Sequence, residues 1–60
     1  MSKKQNPLLT PEQVAETLNL SRRTIVTMAR EGRIPHVRIE RFYRFDPDEL
    51  ARWIEQNHHD

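Results

Sequence analysis

The chain contains no cysteine, which excludes disulfides, thiolate zinc sites and cysteine nucleophiles together. It has one glycine, Gly32, so there is no Gly-rich phosphate loop and no flexible linker. No apolar run is longer than two residues, and no membrane span is expected. The first seven residues, Met1 to Pro7, carry no apolar segment of the kind a secretory signal needs. Heptads are absent, so no coiled coil and no stable dimer are expected, and the free protein should be a monomer. No carboxylate pair or nucleophile–base set has a plausible placement, so the chain reads as a non-enzyme with no catalytic residue and no cofactor. His36, His58 and His59 lack metal-ligand spacing, and no metal is expected. Sixty residues leave room for one domain, with 35% apolar and 32% charged residues.

What is present is an uneven charge pattern. The net charge is +1. Residues 1–21 balance to zero, with Lys3 and Lys4 against Glu12 and Glu16. Residues 22–44 hold seven arginines (22, 23, 30, 33, 38, 41 and 44) against Glu31 and Glu40, a balance of +5. Residues 45–60 balance to −4. A solvated face would normally alternate signs and use some lysine. Clustered arginine points to an anionic partner, nucleic acid first, and no membrane.

Three stretches carry the grammar of a helix start. In Leu9 to Val14, Thr10 caps, Pro11 opens the helix, Gln13 can close a capping box, and Leu9 and Val14 are spaced as a hydrophobic staple. Val14, Ala15 and Leu18 line one face of a helix over about residues 11–18. In Leu20 to Ile25, Ser21 caps and Leu20 with Ile25 forms a second staple. Ile25, Met28 and Ala29 face inward over about residues 22–31. Gly32 falls where a left-handed residue ends a helix, and Pro35 prevents continuation. In Phe45 to Leu50, Asp46 caps, Pro47 opens, Glu49 stands in the box position and Phe45 staples to Leu50. Leu50, Ala51, Trp53 and Ile54 form the buried face of a helix reaching about Gln56. The acids Asp46, Asp48 and Glu49 suit the positive end of that helix dipole.

Between the second and third helices, Val37 and Ile39 alternate with Arg38, and Tyr43 and Phe45 alternate with Arg44. That period of two predicts a β-hairpin with apolar residues inward and arginines outward. If Ile39 and Tyr43 share the inner face, the loop is Glu40, Arg41 and Phe42. A two-residue loop would set Phe42 opposite Ile39 and turn Tyr43 outward, and is rejected. The loop has no glycine or asparagine for a left-handed position. Arg38 and Arg44 then oppose each other on the outer face, an arrangement that is poor for folding. Phe42 could fold back on the core, lie along a sugar or touch a neighbouring protein. The expected core is Leu9, Val14, Leu18, Leu20, Ile25, Met28, Ile34, Val37, Ile39, Tyr43, Phe45, Leu50, Trp53 and Ile54. Residues 1–7 are expected to be a disordered arm, 8–57 the domain and 58–60 a frayed end.

Helix, tight turn, helix, two-stranded wing, helix is the skeleton of a winged helix-turn-helix, mainly α with a small β-hairpin. The outward face of the second helix carries Arg22, Arg23, Val26, Thr27 and Arg30. Arginine at a helix N-terminus opposes the dipole, so stability does not explain Arg22 and Arg23. With Ser21 they suit phosphates. In a major groove, Arg23 could pair with guanine, and Val26 or Thr27 could touch thymine methyls. Arg38, Arg41 and Arg44 on the wing suit phosphates or a narrow minor groove.

The runs Leu9 to Glu16, Leu20 to Ile25, Arg30 to Pro35, Val37 to Ile39 and Tyr43 to Phe45 together resemble the excisionase-family, MerR-like winged helix-turn-helix domain. The resemblance covers about residues 8–55. It implies a major-groove role for Ser21, Arg22, Arg23, Thr24 and Thr27, and a minor-groove role for Arg38, Arg41 and Arg44. The chain departs from the family pattern at Val26–Thr27, where a large or basic pair is frequent, at Glu40, where glycine is usual, and at Phe42, where a basic residue is frequent. It also lacks the dimerising coiled coil of the MerR regulators.

The expected function is duplex DNA binding, as an excisionase (a recombination directionality factor) of a phage or mobile element, in the bacterial cytoplasm with the nucleoid. Expected partners are double-stranded DNA, an integrase or recombinase, and further copies of the chain on adjacent sites. A small transcriptional regulator with the same domain is the alternative. A winged-helix module that binds protein and not DNA, through Phe42, Glu40 and the acidic third helix, is the second alternative.

Overall fold

The computed structural model describes residues 7–57. Of the arm expected over residues 1–7, residues 1–6 lie outside the described residues, as does the frayed end at 58–60. Three helices and one hairpin follow in the order α1 (Pro11–Leu18), α2 (Arg22–Arg30), β1 (Val37–Ile39), β2 (Phe42–Arg44) and α3 (Pro47–Gln56). This is a mainly α domain with a two-stranded antiparallel wing, as expected.

Each helix begins where its capping residues place it. The Thr10 hydroxyl accepts from the Gln13 amide at 3.2 Å, while Gln13 Oε1 accepts from the Thr10 amide at 2.9 Å, a closed capping box. Ser21 Oγ accepts from the Thr24 amide at 3.0 Å. Asp46 Oδ1 accepts from the Asp48 and Glu49 amides. The first two helices also stop by one shared device. Asn19 (φ 59°) and Gly32 (φ 74°) adopt the left-handed conformation. Leu20 and Arg33 then donate their amides back to the carbonyls of Ala15 and Met28, at 2.9 and 2.8 Å. Both are Schellman closures. In the first, asparagine serves where glycine is usual, and it turns the chain from α1 into α2 with only Leu20 between it and the Ser21 cap.

The core consists of Val14, Ala15, Ile25, Ala29, Ile34, Phe45 and Leu50, with Leu9, Leu18, Met28, Tyr43, Trp53 and Ile54 packed around it. Phe45, Ile25 and Val14 are the largest side chains fully removed from solvent. Trp53, expected as core, is half-buried. Leu20, expected as core, is 45% exposed.

The hairpin corrects the predicted register. Val37 pairs with Arg44, Arg38 with Tyr43 and Ile39 with Phe42, leaving a two-residue loop of Glu40 and Arg41. Glu40 takes the left-handed position itself (φ 56°). A positive φ at the first loop residue alone is the φ signature of a II′ turn, which matches the twist of paired strands. Opposite residues share a face. One face therefore carries Val37, Ile39, Phe42 and Arg44, and the other carries Arg38 and Tyr43. Tyr43 remains inward, two residues before the buried Phe45. It is Val37 and Ile39 that turn outward, at 39% and 47% exposure. Arg38 and Arg44 lie on opposite faces, and the expected like-charge juxtaposition does not exist.

A further pairing joins the start of the domain to the wing. Leu9 and Phe45 exchange both backbone hydrogen bonds, at 2.7 and 2.9 Å. Successive strand residues aim their backbone groups at opposite edges. With β1 on one edge of β2, Phe45 has its polar groups turned to the other edge, where Leu9 meets them. The residue before the α1 cap is thus fixed to the residue before the α3 cap, and the wing emerges from that junction.

Candidate nucleic-acid interface

The length of α2, the α1 start and the wing line an open cleft of about 430 Å³. Its lining is Pro11 and Glu12 from α1, Arg22, Val26 and Arg30 from α2, and Arg38, Arg41, Phe42, Tyr43 and Arg44 from the wing. Positions 22, 26 and 30 repeat every four residues, so α2 presents one continuous stripe to the cleft. Five arginines line this concavity, from two elements distant in sequence. The described residues contain no group of three or more histidines or acids that could hold a metal ion. None of the described helices is long and apolar enough to cross a membrane.

On the wing, the arginines are organised by aromatic rings. The Arg38 guanidinium lies 5.4 Å from the Tyr43 ring centre, on the face these two share. Phe42 is flanked by Arg41 at 5.3 Å and Arg44 at 5.5 Å. Such cation–π contacts are each worth about 0.5–1 kcal/mol at exposed sites and restrict where a long side chain points. Arg38 Nε also donates to the Glu40 carbonyl at 2.8 Å, and Arg44 Nη1 to the Tyr43 carbonyl at 2.7 Å. Phe42, at 46% exposure, does not fold back on the core. It serves as a platform for two arginines.

On α2, Arg22 Nε donates to Glu12 Oε2 at 2.6 Å, with the side chains 60% and 62% exposed. The Glu12 carboxyl is held below its ordinary 4.5, first by a backbone hydrogen bond in the first turn of α1 and then by the Arg22 guanidinium. Arg23 is exposed but does not line the cleft. Ser21 Oγ and Thr24 Oγ1 lie 2.8 Å apart, hydrogen-bonded to each other at the helix start. Thr27 is half-buried. The cleft therefore brings together Arg22, Val26, Arg30, Arg38, Arg41, Phe42 and Arg44 of the expected residues, and leaves Ser21, Arg23, Thr24 and Thr27 outside it. Arg33 pairs with Glu31 at 3.2 Å and takes no part.

Three lining residues were not expected from the sequence: Pro11, Glu12 and Tyr43. Pro11 and Glu12 read as helix-start residues, and nothing local links Glu12 to an arginine ten positions on. Tyr43 reads as core, and it is half-buried while also lining the cleft. His36 lies behind Tyr43, with ring centres 5.5 Å apart in an edge-on contact, and its Nδ1 is 2.9 Å from the Ile34 carbonyl. That contact is satisfied by an Nδ1–H donor, which fixes the ring next to the inward face of β2.

No curated protein and no solved structure is significantly similar to the chain. The family model of the helix-turn-helix domain matches residues 8–58, which takes in all three helices, the wing and every residue of the cleft. By that match, and by a helix–turn–helix with a two-stranded wing in the expected order, the chain belongs to the helix-turn-helix family of DNA-binding domains.

Proposed function

We propose that the chain sets α2 in the major groove of duplex DNA and lays the wing on the adjoining backbone and minor groove. In this reading it acts as an excisionase, a recombination directionality factor, of a phage or mobile element in the bacterial cytoplasm. The observation that carries the reading is the cleft, in which Arg22, Arg30, Arg38, Arg41 and Arg44 meet across two elements with one acid among them. A phosphate ridge between two grooves has the shape and charge to enter it. Arg23, Val26 and Thr27 read base edges, Ser21 and Thr24 meet phosphate at the α2 start, and Phe42 presents Arg41 and Arg44 to the minor groove.

One module of this size covers about 600–1,000 Å² on DNA, so a single copy binds modestly. Specificity then comes from further copies on adjacent sites, or from an integrase already bound beside it. If five arginines neutralise phosphates, the logarithm of affinity falls with the logarithm of salt at a slope near about −4.5. Anisotropy of a labelled random duplex, read at about 50 and 200 mM salt, should show a loss of two orders of magnitude or more. Absence of binding at the lower salt refutes the reading. A small transcriptional regulator would use the same residues, and an integrase gene beside this one separates the two roles.

A second reading draws on one observation. Val37, Ile39 and Phe42 are all exposed on one wing face, which would suit a protein partner if DNA binding fails. A partner lost on Phe42→Ala, from a parent that does not bind DNA, would support it.

A further inference from the structure

We propose that Glu12 is an internal competitor for DNA phosphate, a carboxylate seated in the arginine cleft that holds Arg22 until a phosphate displaces it. The proposal rests on the DNA-binding reading of the cleft. Among the described residues, Glu12 is the cleft's single acid, against five arginines. Its Oε2 lies 2.6 Å from Arg22 Nε, the short charge-assisted contact that a phosphate oxygen makes with a guanidinium. Both side chains are more than half exposed, so an anion from solvent can reach the pair and exchange with it.

The α1 start does not rest on this contact alone. The α1 start is already secured by the Thr10–Gln13 box, by Pro11 and by the Leu9–Phe45 pairing. An acid in the first turn of a helix is ordinarily explained by the dipole alone. The dipole does not account for a carboxylate reaching into the cleft, onto an arginine of the next helix. A phosphate that takes Arg22 through Nε must first release Glu12, and it then lies beside a freed negative charge. Random duplex bears that cost in full. Glu12 therefore holds down indiscriminate backbone binding, a repulsive element of the kind that selective binders carry alongside their attractive ones.

The test is a double-mutant cycle in the full chain: parent, Glu12→Gln, Arg22→Gln and the double variant, each titrated with a labelled random duplex at moderate salt. Glutamine keeps the length of the Glu12 side chain and removes its charge; at position 22 it removes the guanidinium and leaves a shorter polar side chain. Glu12→Gln is expected to tighten binding about threefold to fivefold, the upper scale on which exposed ion pairs act. The same change in the Arg22→Gln background is expected to give less than half of that gain. Arg22→Gln should correspondingly weaken the Glu12→Gln protein more than the parent. Equal gains in both backgrounds overturn the proposal, because they reduce Glu12 to bulk charge. Weaker binding by Glu12→Gln also overturns it, because Glu12 then holds Arg22 in its binding posture. If the parent and all three variants fail to bind duplex at low salt, the DNA reading itself is refuted, and this proposal with it.

Discussion

Glu40→Gly should stabilise the protein, and it tests the wing register directly. Glu40 has φ 56° at the first of two loop positions. A side chain in the left-handed region costs about 1–2 kcal/mol against its right-handed alternative. Glycine avoids that cost but loses about 0.5–1 kcal/mol more chain entropy on folding. The balance favours the variant by about 0.5–1 kcal/mol. In a domain of this size 1 kcal/mol moves Tm by about 4–8 °C, so a rise of about 2–8 °C is expected. The Arg38 hydrogen bond survives, because it goes to the Glu40 backbone carbonyl. The assay is thermal unfolding followed by far-UV circular dichroism, in enough salt to screen the lost negative charge among wing arginines. Arg41→Gly is the control. Arg41 has no positive φ, so the variant suffers the entropy loss without relief, and Tm should fall. A Glu40→Gly protein that melts at or below the parent, or an Arg41→Gly protein that gains, would refute the two-residue turn.

Phe45→Ala removes the largest fully buried side chain and should cost about 3–5 kcal/mol. A core of this size supplies about the same amount, so the cooperative melt should disappear; a sharp transition near the parent Tm would show that Phe45 is not the keystone. Gly32→Ala meets no atom within 4 Å of the added carbon, so its cost of about 1 kcal/mol comes from the left-handed backbone alone, checked by chemical denaturation. Glu12 has a depressed folded pKa, so its contribution is present above the ordinary 4.5 and is lost as pH falls through that value and then through the folded one. Glu12→Gln should flatten that acid limb of the stability–pH curve, and an unchanged limb would show that other carboxylates account for it.

The helices were legible because their signals are local. A cap, a proline one position on and a staple residue on either side lie within six residues, and all three starts fall where those residues put them. Gly32 was legible for the same reason. The wing was less so. Its strands are three residues each, and over so short a run two registers satisfy the same alternation. The deciding fact is conformational: Glu40 adopts a left-handed φ that glycine or asparagine would ordinarily take. The three-residue register followed from placing Ile39 on the inner face with Tyr43, whereas Val37 and Ile39 are exposed. The Leu9–Phe45 pairing spans thirty-six positions, and neither residue carries a mark of it beyond being apolar beside a cap. Of the cleft, the arginines were legible from composition and helical spacing, whereas Glu12 was not, because an acid in a first turn already has an explanation.

The corrected register also changes why the wing carries arginine. With Arg38 and Arg44 facing each other, the wing would have been a site where binding was gained at the expense of folding. On opposite faces they do not oppose each other, and each lies over a ring, Arg38 over Tyr43 and Arg44 over Phe42. The rings restrict the guanidinium groups before any ligand arrives, so less side-chain entropy remains to be lost on binding. Phe42 is exposed where a family pattern would more often place a basic residue, yet with Arg41 and Arg44 on either side it orients two charges in place of adding a third. The apolar wing face is thus not a failed core. The core is closed beneath it by Phe45, clamped to Leu9, and the residues above that clamp are free to serve a partner. On this argument Phe42→Ala should leave the fold intact and still weaken duplex binding, through Arg41 and Arg44. Unchanged affinity, with both arginines still required, would show that the ring orients nothing.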